Sequence, residues 1–250
     1  MKNPKLSVII PTYNRSDDLK TTLNFMTALL KEIKEILIID QSKDDKTKKL
    51  VTSLKNSKIK YYYSKIPSIT IARNLGVKYA SKTSDFICFI DDDVNLGNNY
   101  FQEILKVFRD NPGAKAVGAL DNSSSGENIW NRFTQALFFL RRRTKDKAII
   151  VSPYGNLYPE NLNRLINAQW LPGVNMCYRK EVFKEQKFDE NLLGYTVAED
   201  IDFSYRLYQK YPTSLFITPF AKIEHRGSQL ERTPTEKMAY VNQVDHFYFF

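Results

Sequence analysis

The sequence predicts an α/β protein with a Rossmann-like, mostly parallel central sheet flanked by helices. Two observations carry this. Strand-like and helix-like segments alternate four times over the first 90 residues. Such alternation implies parallel strands joined by right-handed crossovers. Acidic and aromatic polar residues also follow directly on the apolar strands, at the carboxyl ends where sheets of this kind bind ligands.

Leu6–Ile10 is a β-branched run stopped by Pro11 and reads as a buried strand. Leu19, Leu23, Met26, Leu30 and Ile33 recur at spacings of three and four, the stripe of an amphipathic helix, with Ser16 as its cap and Asp17 and Asp18 in its first turn. Ile36–Ile39 is a second strand ending at Asp40, followed by a Lys-rich helix over about 44–55. A third strand covers 59–63, a second amphipathic helix 69–81, and a fourth strand 86–90. Beyond residue 95 a helix is expected over 100–109, a strand over 116–120, a Ser/Gly loop over 121–128 and an aromatic-rich helix with a basic end over 129–143. Residues 144–168 read as irregular, and the segment 170–179, a helix over 199–210 and a strand over 215–217 complete the chain. No repeat or flexible linker interrupts it, so two lobes sharing one sheet are expected.

The 250 residues are 42% hydrophobic, 13% aromatic and 26% charged, with ten Pro and nine Gly. That composition supports a real core and excludes a disulfide-stapled miniprotein or extended disorder. Cys88 and Cys177 both lie in apolar sequence and read as core residues of a reducing compartment, too few for a cysteine–zinc site. Thirty-seven basic against 28 acidic residues give a net charge of +9, which suits nucleotides, nucleic acid or an acidic membrane surface. The apolar stretch that Pro11 stops is too short for a secretory signal. No segment approaches the roughly 18 apolar residues of a membrane span. A soluble or peripheral cytoplasmic protein is expected.

Asp91-Asp92-Asp93 directly follows an apolar strand. Three adjacent carboxylates repel one another unless a cation compensates, and their hard oxygens suit Mg²⁺ or Mn²⁺. In extended backbone Asp91 and Asp93 share one side and Asp92 takes the other. A solvated acidic turn capping the next helix is the alternative. Glu199-Asp200-Ile201-Asp202 opens a helix, either as a general base near the metal or as acids favoured by the helix dipole. His225 is one of two histidines; a lone histidine is seldom a metal ligand, but a carboxylate–metal site beside it favours that role. Arg73 near a helix start can bind phosphate or stack on a base, or lie on the surface, and Tyr13 offers a face to a nucleobase or to packing. Gly-x-Gly-x-x-Gly, Gly-Lys-Ser/Thr and Gly-x-Ser-x-Gly are all absent, which argues against dinucleotide, P-loop and serine-hydrolase chemistry.

In order along the chain stand Ser7-Val-Ile-Ile-Pro-Thr-Tyr-Asn-Arg15, Ile38-Ile-Asp40, Ile71-Ala-Arg-Asn-Leu-Gly76 and Phe89-Ile-Asp-Asp-Asp-Val94. Pro172-Gly-Val-Asn-Met176, Arg179-Lys-Glu-Val-Phe183, Phe188-Asp-Glu190, Glu199-Asp-Ile-Asp202 with Arg206, and His225 follow. Together, over about residues 5–228, they resemble glycosyltransferase family 2, the inverting nucleotide-sugar transferases of GT-A fold. The resemblance implies one GT-A domain over residues 1–227, its nucleotide-sugar half at 1–95 and its acceptor and catalytic-base half at 96–227, with a helical, aromatic tail over 228–250. Pro11, Thr12, Tyr13, Arg15, Asp40, Arg73, Asp91 and Asp92 would bind the nucleotide-sugar. Asp91, Asp93 and His225 would hold Mn²⁺ or Mg²⁺. Trp170, Gly173, Asn175 and Glu199 would line the sugar and acceptor pocket, and Asp200 would be the catalytic base.

The implied activity is metal-dependent transfer of one sugar, with inversion, from a UDP-sugar to the hydroxyl of a glycan or lipid-linked acceptor in cell-surface glycan or glycolipid assembly. Gln-x-x-Arg-Trp, the signature of processive synthases, is absent, which favours a single transfer. One alternative is a non-catalytic nucleotide-sugar or carbohydrate-binding relative, against which Asp200 argues. Another is a Mg²⁺-dependent phosphatase of the haloacid dehalogenase type, whose Thr or Val two residues past the second Asp is Asn95 here. Nucleic acid is not expected as a partner, for no reading module is recognisable. Ile129, Trp130, Phe133, Leu137 and Leu140 form a helical stripe ahead of Arg141-Arg-Arg143. That segment is either an interfacial element on an anionic membrane or an ordinary core helix.

Overall fold

The computed structural model describes residues 4–121, 143–152, 155–192, 196 and 198–228. A nine-stranded sheet runs through them, built from β1 (Leu6–Thr12), β2 (Ile33–Asp40), β3 (Ile59–Tyr63), β4 (Phe86–Ile90), β5 (Val94–Leu96), β6 (Ala116–Asp121), β10 (Ile166–Asn167), β11 (Asn175–Arg179) and β12 (Leu215–His225). The spatial order is β10-β12-β6-β11-β4-β1-β2-β3, with β5 paired to β12. Six of these nine strands (β1–β4, β6 and β12) point one way, while β11, inserted between β4 and β6, runs against them. The predicted mostly parallel α/β sheet is therefore present. Strands β7 (Arg143–Thr144), β8 (Ile149–Ser152) and β9 (Gly155–Pro159) form a separate three-stranded sheet.

Helices α1 (Ser16–Thr27), α2 (Lys46–Ser53), α3 (Ile69–Tyr79), α4 (Tyr100–Asp110) and α5 (Glu199–Lys210) flank the sheet. Two apolar clusters fill its faces: one gathers Val8, Ile10, Leu23, Met26, Cys88, Phe101 and Phe108, the other Ile9, Ile39, Phe89, Tyr178, Phe188 and Phe203. Alternate residues of one strand thus serve opposite cores, as a sheet buried on both faces requires. Helix α3 packs so closely on β1 that a Cβ at Gly76 would collide with the Ile9 side chain. Cys88 and Cys177 are unbridged, buried and cross-strand neighbours, in keeping with the core role expected.

Several expected boundaries move. Helix α1 stops at Thr27 rather than Ile33, because Ile33 pairs with Leu6 and opens β2. Ser16 lies inside α1 instead of capping it, and Arg15 in the cap position makes no capping bond. Helix α3, capped by the Ser68 hydroxyl, ends at Tyr79. The stretch expected to be irregular holds β7 to β10, and Arg143, expected to end a helix, opens β7. The last strand runs to His225 rather than Ile217, shifting register between Thr218 and Ile223 so that it leaves β6 and reaches β5. Residues 122–142 and 229–250, which carry most of the expected loop, basic helix and tail, lie outside the described residues. Among the described residues no helix is long and apolar enough to cross a membrane.

At the end of the sheet remote from the strand carboxyl termini, Glu35 ties three strands. It accepts hydrogen bonds from the Ser7 hydroxyl at 2.7 Å, the Lys60 ammonium at 2.7 Å and the Ser81 N–H at 2.6 Å. Burial alone would raise the Glu35 carboxyl, but these donors outweigh it and hold the group below the ordinary carboxylate range. Such a group stabilises the fold fully above its unfolded value, about 4.3, and ceases to as pH falls through the lower folded value. Glu35→Ala should therefore cost about 2–3 kcal/mol at neutral pH, the scale of several lost charge-assisted bonds. In urea denaturation the gap between variant and wild type should narrow as pH drops below about 4; a gap independent of pH would contradict this role.

Candidate functional site

Chain direction brings the predicted residues to one rim. β1, β2, β4 and β12 run the same way, so the segments after Thr12, Asp40 and Ile90 and the last residue of β12, His225, share an edge. β11 runs against them, so its start, just after Pro172-Gly173, joins the same edge. The first turns of α3 and α5 complete it, bringing Arg73 against Glu199.

The acidic turn divides as its spacing predicts. Asp91, Asp93 and His225 each present a ligand atom, and these atoms lie within 4.8 Å of one another. Asp92 turns away and accepts from the Thr12 hydroxyl at 2.6 Å and the Arg15 guanidinium at 3.1 Å. His225 Nε2 stands 3.0 Å from Asp93 Oδ1; apart from it, no donor among the described residues satisfies that buried oxygen. Burial, partly countered by Arg73, pushes the Asp91 carboxyl up to about 6. Burial likewise pushes Asp92 up to about 7, against Arg15 and Thr12. At Asp93 the opposing pull of His225, the Ser228 N–H and Arg15 overcomes burial and lowers the value. The hydrogen bond to Asp93 raises the His225 imidazole above its usual value. The site is short of positive charge, and two carboxylates with one imidazole fit a hard or borderline divalent cation.

Facing this turn is a buried charged cluster. Arg73, only 2% exposed, donates to Glu199 Oε1 at 2.8 Å and to the Gly173 carbonyl at 3.3 Å. Its guanidinium lies 5.9 and 5.3 Å from the Phe89 and Phe188 ring centroids, and its Nε–H has no partner among the described residues. The sequence places Arg73 at a nucleoside pocket; the structure buries it behind Glu199 and Gly173. Asp200 Oδ2 accepts from the Gly173 N–H at 2.5 Å and Oδ1 from the Ile201 N–H at 2.8 Å. Burial raises the Asp200 carboxyl and pushes Glu199 up to about 7 in spite of Arg73. A carboxylate shifted upward is a better proton acceptor near neutrality.

On the other side of the turn, Pro11 and Thr12 end β1 and Tyr13 is half-buried. Asn14, with a left-handed φ of 53°, accepts from the Lys43 N–H and so ties this loop to the one after β2. Asp40 is fully buried, with its oxygens bonded to the Ser42 N–H and the Tyr61 hydroxyl, both at 2.9 Å. Trp170 is held by the Leu157 carbonyl and packs on Tyr158. Asn175 sits inside the sheet, bonded to Ala119 and the Tyr100 hydroxyl, so its side chain joins β6 to β11 instead of lining a surface.

Two supporting residues escaped the sequence reading, and a third, Asn74, stood in a matching segment without a role of its own. The Thr22 hydroxyl bonds the Asp92 and Val94 carbonyls, and Arg226 reaches the Val94 carbonyl, Asn95, the Asp18 carbonyl and Thr22. Asn74 clamps the Phe188–Glu190 segment through the Phe188 backbone and Glu190. Arg226 adjoins His225, the one signal that could have flagged it, and Asn74 follows Arg73 within Ile71–Gly76; Thr22 has no such signal.

The family model described as glycosyl transferase family 2 matches residues 7–186. An uncharacterised glycosyltransferase of Rickettsia bellii is 31% identical over 179 residues, 65% of this chain and 25% of that protein. A GalNAc(5)-diNAcBac-PP-undecaprenol beta-1,3-glucosyltransferase of Campylobacter jejuni is 34% identical over 99 residues, 37% of this chain and 31% of that protein. The chain thus spans about a third or less of the length of either relative. Among solved structures, GalNAc-T7 with UDP, GalNAc and Mn²⁺ superposes with a TM-score of 0.69 at 15% identity, covering 98% of this chain and 49% of that one.

A Cβ at Gly173 would stand 3.0 Å from Arg73 Nη2 and 3.2 Å from Asp200 Oδ2. Gly173→Ala should therefore push the two charged groups apart. Loss of about 1–3 kcal/mol of stability is expected from such overpacking, read by thermal denaturation, and Gly173→Ala with wild-type stability would contradict the packing described.

Proposed function

Since the chain belongs to glycosyltransferase family 2 and has the GT-A fold, we propose that it is a metal-dependent, inverting glycosyltransferase. It moves one hexose-type sugar from a UDP-sugar to an acceptor hydroxyl on a glycan or lipid-linked carrier, in cell-surface glycan or glycolipid assembly. The setting is the cytoplasmic face of a membrane. The observation that carries this reading is the arrangement of the Asp91–Asp93–His225 ligand group and the Glu199–Asp200 carboxylates along one rim. The Mn²⁺ and UDP in GalNAc-T7 support the cation and the donor. The Campylobacter relative, named for an undecaprenol-linked substrate, supports a lipid-linked acceptor.

Pro11, Thr12, Tyr13 and Arg15 bind the nucleotide end of the donor, with Asp40 and Arg73 behind them and Asp92 bracing the loop. Trp170, Gly173 and Glu199 shape the sugar and acceptor side, and Asn175 supports it from within the sheet. Asp91, Asp93 and His225 would hold Mn²⁺ or Mg²⁺, whose charge offsets that of the departing diphosphate. Asp200 takes the proton of the acceptor hydroxyl on a carboxylate oxygen. The freed oxygen attacks the anomeric carbon opposite the diphosphate, the new C–O bond forms, and the old C–O electron pair leaves with the nucleoside diphosphate. One displacement inverts the anomeric centre, and Asp200 then returns its proton to water.

Asp200→Asn is nearly isosteric, so donor binding should survive while transfer falls by roughly two to four orders of magnitude. Unchanged transfer would move the base to Asp202 or Glu199. Asp93→Ala should keep the fold and abolish Mn²⁺-dependent UDP binding, read by calorimetry. Mn²⁺-stimulated turnover in Asp93→Ala would remove that residue from the ligand set.

A further inference from the structure

Residues 43–66 contain eight lysines, no arginine and two aspartates, so this short stretch supplies six of the nine net positive charges of the chain. Two of the lysines have internal uses. Lys58 bonds the Leu30 and Ile33 carbonyls, and Lys60 pairs with Glu35. Lysines on or beside β3, an edge strand, also protect it from strand addition. Lys43, Lys46, Lys48, Lys49, Lys55 and Lys65 lie off that strand and are exposed, so neither use accounts for them. The two acids, Asp44 and Asp45, pair on the surface with Lys46 at 3.5 Å and Lys49 at 2.9 Å, leaving the shoulder strongly positive. At the carboxyl end of β3, beside Lys43 and Lys65, stand Tyr63 and Ile66, 57 and 54% exposed, whereas Lys55 follows α2 at the opposite end of the sheet.

This shoulder adjoins the rim of the site. The Lys43 N–H is bonded to Asn14, next to Tyr13. Ile66 is held by its carbonyl to Gln41, the residue after Asp40. We propose that the shoulder is a docking surface for an anionic phospholipid bilayer, which holds the chain with its strand-end rim toward the membrane. Lysine ammoniums are point charges that respond to diffuse surface charge, whereas specific phosphate grips favour the arginine fork, absent from this stretch. The exposed Tyr63 and Ile66 match what the headgroup boundary accepts and add apolar burial. The docking itself is independent of the transferase reading; only its purpose, meeting a lipid-linked acceptor, rests on that reading.

The test is co-sedimentation of the full chain, without substrates, with phosphatidylglycerol–phosphatidylcholine vesicles and with pure phosphatidylcholine vesicles, at low and high salt. Binding to the anionic vesicles alone, weakened by salt, is expected. Combining Lys43→Gln, Lys46→Gln and Lys65→Gln should weaken it by roughly fivefold per lysine, and Ile66→Ser should weaken what remains. Melting temperature and UDP–Mn²⁺ binding should not change in the triple variant, which separates this surface from the donor site. The proposal is overturned if the wild type ignores anionic vesicles or the triple variant binds like wild type. Binding that is lost only on replacing Arg141, Arg142 and Arg143 by Gln, or binding to RNA but not to vesicles, would overturn it too. Loss of turnover with vesicle binding intact would count against the transferase reading alone.

Discussion

The structure is organised around the cost of three consecutive carboxylates at the end of a buried strand. Asp92 and Asp93 are 4% and 1% exposed, and like charges so close in a poorly solvated place cannot all stay ionised without compensation. Arg15 and Thr12 answer Asp92, while His225 and the Ser228 N–H answer Asp93. Thr22 and Arg226 bind the carbonyls of the turn and keep it from relaxing outward. Asp91 accepts no side-chain or backbone bond among those described, and the charges of Arg73 and His225 only partly offset its burial beside Asp93 and Glu199. The protein thus neutralises most of the turn and leaves one charge-deficient spot, between Asp91, Asp93 and His225, that a divalent cation would complete.

That turn also explains the shape of the distal half. His225 must arrive from the far end of the chain at the same edge as β4, and a strand ending at Ile217 could not carry it there. The register shift in β12 lets it leave β6 and pair with β5, which sets His225 opposite Val94. β11, inserted antiparallel between β4 and β6, brings Gly173 to the rim by its start instead of its end. The bare Gly173 backbone then admits Arg73 on one side and Asp200 on the other. Sheet direction, one glycine and one buried guanidinium together connect the acidic turn to the carboxylates of α5.

Much of the first half was legible because its strands are short apolar runs bounded by clear stops. β3 and β4 fall where their β-branched and aromatic residues predict, and α4 follows its apolar spacing to within a residue. The α1 stripe misled because Leu30 and Ile33 continue a helical spacing while serving a turn and a strand; Ile33 is drawn into β2 by pairing with Leu6. β5 is only three residues long and β12 alternates buried with exposed residues past a proline, so local pattern alone conceals both. Of the site, the clustering of Asp91 and Asp93 is local and was readable. The burial of Arg73 and the inward use of Asn175 depend on contacts between segments distant in sequence, and the support from Thr22 and Arg226 carries no motif.

The central claim is that the charge left uncompensated at the acidic turn is a divalent-cation site coupled to the nucleotide. Electron paramagnetic resonance of Mn²⁺ titrated into the full chain, with and without UDP, tests it most directly. The account predicts one bound Mn²⁺ per chain, its free-ion signal lost at lower metal concentration when UDP is present. A free Mn²⁺ signal that the protein leaves undiminished, with UDP or without it, would contradict the account.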